Sequence, residues 1–514
     1  MSFLRSTTSR LAQQSLRFSI TKPSVASMPL RAKITSNAFS TSSPKMEVAL
    51  DSLPGDDPYD VKFNSNLGLR TIELNRPKKL NALDGSMARK ILPRMQEWAK
   101  SDLANLVLIK GAGGKAFCAG GDVAALVKFI KENPGGEGIE KAKEYFALEY
   151  KLDHLIATYS KPYVAIIDGI TMGGGVGLSV HAPFRVATEK TLFAMPETDI
   201  GFFPDVGGSF FLSRLDGEVG TYLALTSDRL KGVANLYAGI ATHYVNSSAL
   251  GDLENRLSEL KFDSVRNLED KYRIINNTIN EYQDTLPTDQ FIPIVGLRRM
   301  AIDRCFRFNT VEEIKQALIA ETQLSESEGG QPEWAKKTLE TLSQRCPTSL
   351  IVSLRALREG KKWNISETFQ WEYIIASHFM AHPDFAEGVS AKLIDKPART
   401  AEYTPVDLQT ATEKDISQPF FQLPKGTKIL DLVGVNDKRT AYRHDWIGLP
   451  AERKVQQFVE SKRVTRDEVL REFVEREEGR FGVKQKVTDI LLRKTVVDEE
   501  GIVSWAKTQE VSQQ

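Results

Sequence analysis

The stretch YVAIIDGITMGGGVGLSVHA, Tyr163 to Ala182, carries the main fold signal of this chain. YVAIID is a continuous apolar run rich in β-branched residues, the pattern of a buried strand. GITMGGGVG follows as a turn and GLSVHA as the start of a helix. The same design occurs upstream: the strand LVLIKG, a Gly-rich segment ending in FCAGGD (Phe117 to Asp122), then the helix start VAALVKFI. Glycine at such turns permits close approaches that a Cβ forbids. Helix-start N–H groups are unpaired and lie at the positive end of the helix dipole. Two such turns side by side would aim two main-chain donors at one point, an oxyanion hole suited to a thioester or other acyl oxygen that gains charge. A phosphate cradle is the competing use, but the Lys-Ser/Thr of a P-loop is absent. A single Gly cluster is more often a plain tight turn; the pair is the specific feature.

Outward from these turns, GLRTIELN reads as a strand and MARKILPRMQEWAK as a helix with Met87, Ile91, Met95 and Trp98 on one face. FRVAT and LFAM read as two more short strands. Strand, strand and helix repeat to about residue 245, which indicates an α/β fold of stacked ββα units. No GxGxxG follows the first strand, so a dinucleotide fold is disfavoured. From Leu250 to about Ile394 the pattern is mostly helical, with a capping-box start at Thr310 and Glu313. The expected organisation is a presequence and flexible N-terminus over 1–46, an α/β core over 60–250, a helical part over 251–400 and an appended, mostly helical extension over 401–514.

The 514 residues are 41% hydrophobic and 26% charged, ordinary for a globular protein of more than one unit. No run of eighteen apolar residues is present, so no spanning helix is expected. Cys118, Cys305 and Cys346 are far apart and form no CxxC, which argues for a reducing compartment and against a disulfide framework. The six histidines include no HExxH, so no metal site is expected. From Met1 to Met46 there are seven Lys or Arg and no acid, with Arg5, Arg10 and Arg17 set among Leu and Phe. That is the pattern of a mitochondrial presequence, a disordered basic tail being the plainer reading. Without those seven charges the formal net charge of +1 becomes about −6, so the body is not an evident nucleic-acid binder.

AMPETDIGFFPDVGGSFFL, Ala194 to Leu212, sets Glu197 and Asp205 in an apolar segment. Acids are rarely buried unless paired or hydrogen-bonded. Each could cap a turn, since Pro-Glu-Thr-Asp and Phe-Pro-Asp are turn sequences. The alternative is that both line a pocket.

FCAGGD, MGGGVG and the MPE at its distance resemble the crotonase (enoyl-CoA hydratase/isomerase) superfamily. Within it, GAGGKAFCAGGD, KPYVAIIDGITMGGGVGLSVH, FRVATEKTLFAMPET, IGFFPDVGG and RLKGVA are similar to the 3-hydroxyisobutyryl-CoA hydrolase family, over roughly Leu67 to Lys396. The resemblance implies a crotonase-like spiral, a mitochondrial matrix location and a step of valine breakdown. The substrate would be an acyl-CoA; no separate cofactor is implied, since coenzyme A is part of the substrate. It also implies that Glu149, Gly174, Glu197 and Asp205 contact the acyl part and that Gly121 and Gly174 supply the oxyanion-hole N–H groups. Hydratases of the superfamily use two glutamates, one of them two positions after the GGG turn. Here that position is Gly177, so hydrolysis fits better than hydration. The Glu-Gly-Val-Arg usual near the C-terminal motif is Glu387 to Ser390 here, with Lys392 as a nearby positive charge.

Relatives of this hydrolase family also occur in the mitochondrial small ribosomal subunit, which makes a structural partner role the alternative. Between Lys425 and Lys494 there are seventeen Lys or Arg against twelve Asp or Glu. Either these charges form a solvated, salt-bridged helical surface, or Arg439, Arg443, Arg453, Arg463, Arg466, Arg471, Arg476 and Arg480 reach phosphates of a large partner.

Overall fold

Each ββα repeat gives its first strand to one sheet and its second strand to another. The computed structural model describes residues 52–506, apart from 134–135, 263–264, 266, 284–285, 288–289, 407, 409, 424 and 427. The expected presequence therefore lies outside the described residues. The first sheet has six strands in the order β1 (Val61–Asn66), β2 (Leu69–Leu74), β3 (Leu106–Gly111), β5 (Tyr163–Ile167), β7 (Phe184–Ala187) and β10 (His243–Tyr244). β1 pairs antiparallel to β2, and every later pair is parallel. The second sheet runs β4 (Ala116–Cys118), β6 (Ile170–Met172), β8 (Leu192–Ala194) and β9 (Leu230–Lys231). This is the crotonase-like spiral.

The central strands read as unbroken apolar runs because both of their faces are covered. Leu106, Leu108, Val164, Ile166, Phe184 and Val186 pack on Leu253, Leu257, Ile275 and Ile279 of later helices. Helix α1 (Gly85–Lys100) is capped by Asp84, whose side chain accepts from Met87 N, and it buries Met87, Ile91, Met95 and Trp98. GITMGGGVG is not wholly a turn: Ile170–Met172 is drawn into strand pairing with β4 and β8. Pairing partners distant in sequence decide that, and no local pattern reveals them. Helices α2 (Val123–Glu132) and α3 (Glu137–Ala157) follow β4, and the short α4 (Gly174–Val180) follows β6. The capping box of Thr310 and Glu313 is present. No helix among the described residues is long and apolar enough to cross a membrane.

The C-terminal extension lies on the core, and the described residues belong to one compact unit. The Gln370 side chain brackets Leu430, donating to its carbonyl at 2.7 Å and accepting from its N–H at 2.9 Å. Lys486 Nζ meets Asp216 at 2.8 Å, and Arg299 Nη2 meets Glu452 Oε1 at 2.9 Å. Arg480 is buried and donates to the carbonyls of Ile447 and Thr242. Arg439, Arg453, Arg463 and Arg476 are each ion-paired to an acid of the extension: Asp437, Asp445, Glu500 and Glu472. Their guanidiniums are thus engaged locally, although only Arg476 and Glu472 share a helix and the other three pairs involve residues outside helices.

Candidate active site

The two glycine turns meet. A Cβ placed on Gly174 would lie 3.3 Å from the Gly121 amide nitrogen, which brings the two amide nitrogens within about 6 Å of each other. Neither amide donates a hydrogen bond within the described residues. Gly174 is the first residue of α4, so its N–H is one of the orphan donors of a helix start. The same Cβ would overlap Glu149 Oε1, so Glu149 stands directly against the turn. One residue back, a Cβ on Gly173 would sit 3.0 Å from Glu197 Oε1. Asp205 follows in the loop after the short 3-10 turn Glu197–Ile200, and Tyr150 Oη donates to its Oδ2 at 2.6 Å. All five residues marked by the sequence, Gly121, Gly174, Glu149, Glu197 and Asp205, are brought to one place. Neither acid simply caps a turn.

Glu149, Glu197 and Asp205 are buried, exposed by 2%, 4% and 4%. Two further carboxylates join them that the sequence reading missed. Asp153 stands one turn after Glu149 on α3, is fully buried, and has no hydrogen-bond partner on either oxygen. A Cβ on Gly177 would come 2.5 Å from Asp153 Oδ2 and 2.8 Å from Val206 Cβ, so the space of a side chain at 177 is already filled. Glu372, on the helix Ile365–Ala381, accepts from Gly207 N at 2.6 Å and Ser209 N at 2.8 Å, fixing the loop that carries Asp205. The signals were faint but present. Asp153 is spaced i+4 from Glu149, and Glu372 is an acid in the apolar run FQWEYIIASHF.

Among the described residues no Lys or Arg pairs with any of these five acids. Burial is the main reason that each titrates high, and repulsion from neighbouring acids adds to it for Glu149, Asp153, Glu197 and Glu372. Glu149, Asp153 and Glu197 are pushed well above the usual carboxylate range, with Asp205 the next cause for Glu149 and Glu197. Burial lifts Asp205 to about 7, against the pull of the Tyr150 hydrogen bond, and Glu372 to about 8, against its two N–H donors. At neutral pH the cluster is therefore largely protonated, and Asp205 is the member best supported as an anion. Glu149 Oε1 and Glu197 Oε2 remain without partners, the state expected of groups held for a ligand. The walls are aromatic: Phe146 stacks on Phe202 with centroids 5.2 Å apart, and Tyr150 and Phe369 approach to 6.0 Å. Lys392 pairs with Asp199 at 3.2 Å, two residues past Glu197, and Lys131 Nζ donates to Ser390 Oγ at 2.7 Å.

A spiral of ββα units, paired glycine turns and buried acids together define an acyl-CoA-type site, and the comparisons agree. The chain belongs to the enoyl-CoA hydratase/isomerase family, whose model matches residues 69–420. It is 47% identical over 353 residues to the mitochondrial 3-hydroxyisobutyryl-CoA hydrolase of Xenopus laevis, covering 68% of this chain and 86% of that one. It is 50% identical over 478 residues to the small ribosomal subunit protein mS47 of Neurospora crassa, covering 92% of this chain and 93% of that one. Among solved structures it is similar to a carnitinyl-CoA dehydratase from Mycobacterium thermoresistibile, with a TM-score of 0.61, 30% identity, and coverage of 72% of this chain and 99% of that one.

Proposed function

We propose that this chain hydrolyses the thioester of 3-hydroxyisobutyryl-CoA in the mitochondrion, releasing 3-hydroxyisobutyrate and coenzyme A as a step of valine breakdown in the matrix. The observation that carries this is Glu197 set against the Gly173–Gly174 turn, while position 177 holds no acid and has no room for one. The thioester oxygen sits between the N–H groups of Gly121 and Gly174, which stabilise the charge it gains. Asp205, supported by Tyr150, is the acid that ionises most readily, and the working form has Glu197 as a carboxylate beside the acyl carbon. That carboxylate either removes a proton from an attacking water or itself adds to the carbon. In both routes a C–O bond forms, the C–S bond breaks, and the thiolate leaves and takes a proton; in the second route water then opens the resulting anhydride, which releases the acid and restores the Glu197 carboxylate. Turnover in ¹⁸O-water tests for the second route: label on the Glu197 side chain, from water opening the anhydride at the glutamyl carbon, arises only if Glu197 has attacked the thioester. Thiol release measured over a panel of short acyl-CoAs tests the activity, with the 3-hydroxyisobutyryl thioester expected to be the best substrate. No release from any member would sink the proposal.

A second reading has its own support. The match to the mS47 relative spans 92% of the chain and so runs through most of the extension, whereas the hydrolase match covers 68%. On this reading the chain is a component of the mitochondrial small ribosomal subunit, with or without its hydrolase activity. Sedimentation of low-salt mitochondrial lysate tests it. Full-length chain should travel with the small subunit; migration only as a free species rules the docking role out and leaves the hydrolase reading intact.

A further inference from the structure

Where the extension lies on the core the two line an open cavity of about 460 Å³ that is separate from the carboxylate cluster. Its lining includes eight Lys or Arg and four acids. Each of the acids is already engaged: Asp216 by Lys486, Asp437 by Arg439, Asp445 by Arg453, and Glu452 by Arg299 and Arg493. Arg185 and Arg214 have no carboxylate partner among the described residues. Arg185 donates only to the carbonyls of Ala182, Gly239 and Ile240, which leaves two of its five N–H groups unassigned. Arg214 lies over the Phe210 ring at 3.7 Å and donates to carbonyls that include Phe210 and Thr440. Tyr442, close enough to feel the charge of both guanidiniums, stands edge-on to Phe210 at 5.1 Å, with a hydroxyl that has no hydrogen-bond partner. Burial presses both arginines down to about 10, so both stay charged at neutral pH.

A carboxylate can neutralise itself by taking up a proton, but a guanidinium keeps its proton at neutral pH, so an uncompensated pair lining a cavity attracts an anion. The aromatic and aliphatic lining of Phe210, Tyr237, Leu236 and Leu449 offers a complementary surface for an apolar body. We propose that this cavity is a binding site for a small organic oxyanion, a phosphate ester or carboxylate on a flat apolar body, held by the free N–H groups of Arg185 and the hydroxyl of Tyr442. The site is independent of the thioester chemistry and is built by core and extension together.

Calorimetric titration of the full chain with phenyl phosphate, benzoate and benzyl alcohol tests this. At least one of the two anions should bind at a single site about tenfold or more tightly than the neutral alcohol, and the tighter anion identifies the headgroup. Tyr442→Phe keeps the ring and removes only the hydroxyl, and should weaken that anion by about tenfold. Arg185→Met should abolish binding. Because Arg185 also holds three carbonyls, a fold check accompanies it, and Tyr442→Phe decides if that variant fails to fold. Glu197→Gln should leave the affinity unchanged. No heat with either anion, equal affinity for benzyl alcohol, or unchanged anion binding in Tyr442→Phe would overturn the proposal.

Discussion

Two spaces in this protein hold charge without a matching counter-charge, and they resolve it in opposite ways. In the carboxylate cluster five buried acids stand together with no Lys or Arg paired to them among the described residues, and protonation makes that tolerable: Asp205 rises to about 7 and Glu372 to about 8. In the cavity under the extension Arg185 and Arg214 are likewise unmatched, but at about 10 they remain cations. An acid cluster can store a proton and give it back, which is the property catalysis uses. An arginine pair stores only a field, which is the property binding uses. The spaces share a wall: His181 lines the cavity, and its Nε2 donates at 2.8 Å to the carbonyl of Val206, next to Asp205.

The contrast can be broken most sharply at the glycine turn. Gly174→Ala would drive a methyl group into Glu149 Oε1 and toward the Gly121 amide, misplacing the oxyanion donors. Thioester hydrolysis should fall about 10²–10³-fold, or ~2.7–4 kcal/mol, with the circular dichroism melt little changed. A variant with near-normal turnover would show that the paired turns do not hold the reacting oxygen.

A smaller effect sharpens the acid side. The working form carries the cluster's negative charge, so kcat/KM should rise with pH through the Asp205 value of about 7 and then level off. Rates that stay flat down to about pH 5 would contradict shared protonation, because an ordinary carboxylate is already ionised there.

The smallest expected change concerns stability. Asp153 titrates high in the fold because of burial and then Glu149. A carboxyl with a raised folded-state value contributes fully below its unfolded value of about 4, and that contribution is lost as pH rises toward the folded one. Asp153→Asn removes the penalty, so it should match the parent near pH 4 and exceed it near pH 8 by about 1–3 kcal/mol. Urea melts at the two pH values measure this; equal stability at both, or a loss near pH 8, would mean that Asp153 is not held neutral.

Much of this contrast is legible in the amino-acid sequence. The glycine turns and the acids among Phe and Gly are local features, and their meeting follows from the strand–strand–helix repeat that stacks β4 beside β6. Asp153 and Glu372 are not legible there, because each looks like an ordinary helical acid until a distant element packs on it. Glu372 becomes functional only by reaching Gly207 and Ser209 more than 160 residues away. The basic run of 425–494 poses the converse problem. Its charges suggest an open patch, whereas most of the arginines named there are tied to acids nearby or tucked against the core. Composition reports how many charges exist and says nothing of how they pair.

The central claim is that the buried acids perform thioester hydrolysis, and turnover of the 3-hydroxyisobutyryl thioester by Glu197→Gln and Asp205→Asn tests it most directly. Each variant should fold as the parent does and release thiol about 10²–10⁴-fold more slowly, the loss typical of a removed acid–base group. Near-parental release by both variants would contradict the account.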